Sequence, residues 1–172
     1  MYTRLAKAFY FITVIFFILA FLYIYASLPQ NVIYEAGIPG EPHKQVNQDT
    51  FFFVTVGVFV VLNLLLVIPA KMVENQTVQS FRRFFKVGDI FREHMLSWIY
   101  SFAGIFNINL AILLLYILKI NVLEGSANNA LAFIFYLVPL LLLVWIVALF
   151  ILLGKKIKQM EISKPAGGDK NY

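Results

Sequence analysis

The sequence predicts an all-α integral membrane protein: four transmembrane helices arranged as two hairpins, with both termini in the cytoplasm. Three observations lead there. Residues 8–28, 51–69, 96–120 and 131–153 form apolar runs without Asp, Glu or Arg, touched by a charge only at Lys119. Each is about 19–25 residues, the length needed to cross ~30 Å of hydrocarbon at ~1.5 Å per residue. Finally, twelve of the fourteen Lys and Arg residues lie in alternate segments between the runs.

The composition agrees. The 172 residues are 61% hydrophobic, with a mean hydropathy of +0.81, well outside the range of soluble domains. The segments between the runs are too short for a separate soluble core, so residues 1–172 form one membrane domain. The first run follows Arg4 and Lys7, as a secretory signal would. It is too long for a signal core, and Tyr25–Pro29 offers no small-x-small cleavage site, so it reads as a retained first span.

Orientation follows from charge. The basic residues of the amino end (Arg4, Lys7), the middle segment (Lys71, Arg82, Arg83, Lys86, Arg92) and the tail (Lys155, Lys156, Lys158, Lys164, Lys170) face Lys44 and Lys119 on the other side. The positive-inside rule places the crowded side in the cytoplasm. The Asn75-Gln76-Thr77 sequon falls on that side and is discounted. The net charge of +5 is set by topology rather than by nucleic acid.

Pro29 ends the first helix. In the loop of residues 29–48, Pro39-Gly40 suits the centre of a type II turn, and Glu41, Pro42 and His43 complete a stiff tip. The loop is expected to be ordered, either as a docking surface or as a compact connection. Asp49 or Thr50 is expected to cap the second helix.

The pattern Leu28-Pro29-x-x-Val32, then Gly37 or Gly40 with Pro39 or Pro42, then Phe51–Phe53, resembles the first hairpin (about 28–72) of a bacterial membrane domain of unknown function. That domain is shared with sporulation-delaying toxin immunity proteins. The family usually places a His-Phe pair between these marks, where this chain has Ile33-Tyr34 or Ala36. The resemblance implies a small protein of the bacterial cytoplasmic membrane with a regulatory, immunity-like or unknown role, and transfers no catalytic residues.

A cytoplasmic amphipathic connector is expected over about 73–92. Phe81, Phe84 and Phe85 interleave with Arg82, Arg83 and Lys86, a pattern that buries rings at the headgroup boundary and aims cations at anionic lipid on the cytoplasmic face. Gly88-Asp89 breaks it, with Asp89 as the next N-cap. In the third span Ser97, Ser101, Gly104, Ile108 and Ala111 recur at spacings of 4, 3, 4 and 3, a stripe that lets helices approach closely. Asn107 lies beside the stripe and Asn109 about 200° round the helix, at ~100° per residue. Asn63 in the second span is at comparable depth, so an interhelical amide bond is expected; Asn109 is left for a cavity or another subunit. Pro139 bends the fourth span, Trp145 packs at mid-depth, and residues 160–172 read as a disordered tail.

No span carries a carboxylate, His or Arg at depth, and the two histidines, His43 and His94, lie on opposite sides. No cofactor, metal or catalytic site is expected, and no enzyme activity. With no cysteine there is no disulfide framework. Three functions remain: an accessory or structural subunit working with other membrane subunits, a regulatory or immunity-type protein acting through loop 29–48, and a small transporter or lipid-handling protein.

Overall fold

A computed structural model describes residues 2–35, 44–76, 79, 82, 85–122 and 132–162. The tip 36–43, most of the connector between 77 and 84, and the tail from 163 lie outside the described residues. So do the expectations for Pro39, Gly40, Glu41, Pro42, His43, Phe81, Arg83 and Phe84.

Among the described residues four helices are long and apolar enough to cross a membrane: α1 (Tyr2–Ser27), α2 (Gln48–Asn75), α3 (Ile90–Val122) and α4 (Ala132–Ile162). All outrun the apolar runs. Hydrogen bonding along a helix does not stop where the side chains turn polar, so helix continues beyond the apolar boundary. Pro69 lies inside α2 instead of ending it, and the two ends of the expected connector belong to α2 and α3.

One departure from an all-α chain is a two-stranded antiparallel ribbon, β1 (Asn31–Glu35) and β2 (Lys44–Asn47). Val32 pairs with Val46 across it, and Val32 is completely buried. The ribbon also moves the start of α2. Asn47 closes the ladder in an extended conformation, and its side chain accepts from the Asp49 N–H at 2.9 Å. Asn47, not Asp49 or Thr50, is therefore the N-cap, leaving Asp49 to meet the positive end of the helix dipole.

The far end of α2 closes at Gln76 in a left-handed conformation (φ 51°), donating its backbone N–H to Met72 O. Gly88 takes φ 83°, a value that suits glycine, and turns the chain into α3. Asp89 caps α3 as its position predicts, with Oδ1 accepting from Phe91 N at 3.0 Å.

Helix α3 is the centre of the molecule. It contacts α1, α2, α4 and β1, and the α1–α3 contact is the most extensive between any two elements. The dominant packing thus crosses between the two sequence hairpins. Helices α1 and α2 meet largely through rings: Phe17 stacks on Phe59 at 4.2 Å, while Phe52 meets Phe21 and Tyr25. Helix α4 leans on α3, and from Tyr136 to Lys158 none of its residues is fully buried.

Candidate functional site

The small-residue stripe of α3 serves two neighbours. Gly104 and Ala111 are buried towards α1; a Cβ on Gly104 would stand 2.6 Å from Phe9 Cε1 and 3.2 Å from Thr13 Oγ1. Ser101 turns instead to α4, where its Oγ accepts from Trp145 Nε1 at 3.0 Å. Trp98 donates to Trp145 O at 2.8 Å on the same seam. Lys156 Nζ reaches Asp89 Oδ2 at 2.6 Å and lies over the Phe91 ring. The Lys156 ammonium holds the Asp89 carboxyl below its ordinary value, and the hydrogen bond from Phe91 N adds to that. Ser97 is half-buried beside this stripe.

The asparagines separate as their angular positions require. Asn63 Nδ2 donates to Asn107 Oδ1 at 2.9 Å and to Phe59 O at 2.8 Å, joining α2 to α3. Asn107 is 1% exposed; its Nδ2 and Asn63 Oδ1 have no partner within the described protein. Asn109 is also buried, at 6% exposure, and among the described residues neither of its polar atoms is paired. At ~100° per residue it shares the flank of α3 that carries Phe91 and Trp98, the flank covered by α4. It faces no open surface.

Towards the end where α1 begins, a denser polar cluster lies between α1, α2 and α3. Glu74 receives Lys7, Lys71 (3.1 Å) and the Tyr100 hydroxyl (3.2 Å). Lys7 also lies over the Tyr100 ring, and Tyr10 packs on the same ring. Arg92 donates through Nη2 to Glu74 O at 2.9 Å and through Nε to Val73 O at 3.4 Å, closing the carbonyl end of α2. Sequence reasoning treated these charges only as topology markers. The signal available was Glu74, an acidic residue three positions from Lys71 in a middle segment with five basic residues.

At the end of the connector Phe85 is buried and stacks on Phe91 at 5.7 Å, so its ring packs against protein. Gln76 fixes it by donating to Phe85 O. Arg82 is exposed, but its Nε donates to Gln76 O at 2.8 Å and so finishes α2; Lys86 is exposed and its carbonyl accepts from Asp89 N.

At the opposite end, Asn121 holds the ribbon. Its Oδ1 accepts from Ile33 N and its Nδ2 donates to Ile33 O, both at 2.8 Å, copying the hydrogen bonds of a neighbouring strand. Gln48 donates to Tyr25 O and Leu28 O, tying α2 to the exit of α1.

Two cavities accompany these features. Under the ribbon, α2 and α3 diverge into an apolar groove of about 460 Å³, lined by Val54, Thr55, Val58, Leu110, Leu113 and Ile117 and backed by Phe17. At the other end a polar cavity of about 600 Å³ opens among Thr3, Arg4, Lys7, Glu74 and Arg92. Among the described residues no three His, Cys, Asp or Glu side chains come together as metal ligands. The chain matches no family model, no curated protein and no solved structure.

Proposed function

We propose that this protein is a non-catalytic subunit of a larger assembly in the bacterial cytoplasmic membrane, with both termini inside. The observation that carries the reading is the groove between α2 and α3. Membrane helices associate by filling such grooves, with close van der Waals contact supplying most of the attraction. This groove is apolar and backed by a rigid aromatic stack, and Thr55 offers a hydroxyl. Beside it, α2 buries only Phe51, Ala70 and Val73, all near its ends. The open flank of α4 adds a second face for contact.

The test is a mild-detergent pulldown through a carboxyl-terminal tag, read by native gel and mass spectrometry. A photoreactive residue replacing Val58 or Leu113 is included. A stoichiometric heteromeric band, crosslinked from the groove to another membrane protein, is expected. A homogeneous small particle with no groove crosslink to protein would defeat the reading.

The second reading is lipid handling, favoured by the same groove, whose apolar walls also suit an acyl chain. Crosslinks to lipid alone, with lipid transfer in liposomes containing only this protein, would select it. A regulatory, immunity-like role through loop 29–48 follows the family resemblance. Replacing residues 38–44 would abolish function in that case while insertion survives.

A further inference from the structure

The polar cavity at the end where α1 begins has the chemistry of a phosphate site open to lipid. One wall carries Arg4, Lys7 and Arg92, the buried Leu96 lies beneath, and the exposed Leu5 supplies an apolar margin. Glu74, the acidic residue deepest in the polar cluster, is already compensated by both Lys7 and Lys71. The second carboxylate of the lining, Glu93, is exposed, and its backbone carbonyl accepts from Thr3 Oγ1 at 3.3 Å. Counting Lys71, four cations face two carboxylates, so the site retains positive charge.

The two arginines have donors to spare. Arg92 is held rigidly by the α2 carbonyls, and those two bonds use two of its five N–H groups. Arg4 is exposed and has no hydrogen-bonded or ionic partner among the described residues. A guanidinium presents a planar fork that matches phosphate oxygens. A fixed Arg92 and an uncommitted Arg4 beside an ammonium and an exposed leucine suit a ligand with an anionic phosphate head and an apolar body. We propose that this cavity binds the phosphodiester headgroup of an anionic membrane lipid, with its chains lying along Leu5. This site lies apart from the groove and stands independently of the assembly proposed above.

The test is native mass spectrometry of the full-length protein released from nanodiscs of phosphatidylcholine containing phosphatidylglycerol. One retained phosphatidylglycerol per chain is expected, in preference to phosphatidylcholine. Arg4→Gln should weaken retention roughly fivefold, the weight of one basic residue at an anionic lipid surface. Arg4→Lys should restore part of it, and Lys158→Gln, exposed on α4 and outside the cavity, should leave it unchanged. Thermal unfolding of each variant checks that the fold persists. Equal losses in Arg4→Gln and Lys158→Gln would mean diffuse surface attraction and overturn the proposal. So would full displacement by soluble glycerol phosphate at matched concentration, which would mark a site for free phosphate.

Discussion

Replacing Gly104 by alanine tests the close approach of α1 and α3. The added Cβ would sit 2.6 and 2.7 Å from two carbons of the Phe9 ring. Carbon atoms pack best at about 3.5–4.0 Å, so the ring or the helix must move by about 1 Å. Overpacking of this kind costs about 1–3 kcal/mol, while glycine to alanine inside a helix returns about 1 kcal/mol. Gly104→Ala should therefore destabilise by up to about 2 kcal/mol on that difference. Gly104→Leu should prevent α1 from docking. The assay is reversible unfolding in mixed micelles under rising SDS, followed by tryptophan emission. Phe9→Leu removes the atoms in conflict, so the double variant should recover part of the loss and give a non-additive cycle. A Gly104→Ala protein more stable than the parent, with additive effects at Phe9, would refute the close approach.

The other predictions concern the polar ties. Asn107→Leu should lower stability by about 0.6–2 kcal/mol. Asn63→Leu/Asn107→Leu should lose less than the sum, because no amide is left stranded; an unchanged single variant would remove the amide tie from the argument. For the Asp89–Lys156 pair, the folded carboxyl titrates below its ordinary 3.8, so its contribution is full above that value and disappears as pH falls through the lower folded one. Asp89→Asn retains the cap but not the charge, so the stability gap to the parent should be constant from pH 7 to 5 and close only in stronger acid. A gap that closes near neutrality would assign the effect to another group. Trp145→Phe and Ser101→Ala should each loosen α4 by about 1 kcal/mol, with strong coupling between them in SDS titrations; additive losses would mean the indole and hydroxyl do not interact.

The spans were legible because a bilayer demands an unbroken apolar run, and the sequence shows four. Their ends were less so, as the helices continue past Pro69 and back to Tyr2 in segments where hydropathy falls away. The Asn63–Asn107 pairing could be anticipated from matched depth along two spans. The ribbon could not: each strand has five residues or fewer, and Val32 opposite Val46 gives almost no periodic signal. The Glu74 cluster escaped for another reason. Lys7, Lys71, Glu74, Arg92 and Tyr100 come from three helices, and a tally of loop charge records their number without their convergence. Asn121, next to the end of an apolar run, carried no hint that its amide would stand in for a strand.

The central position of α3 also governs when the molecule can become solid during synthesis. Helices α1 and α2 emerge first, and beyond the ribbon end their mutual contact rests chiefly on aromatic rings. The partners of Asn63, Lys7 and Glu74 that bind them together include Asn107, Arg92 and Tyr100, all made later. The first half of the chain thus enters the bilayer as a loosely paired hairpin, tied by Lys7 and Glu74 at one end, while Asn63 at mid-length waits for the third helix. A nascent chain arrested before residue 90 would be inserted but unconsolidated, the interval in which a membrane quality-control protease has its best access.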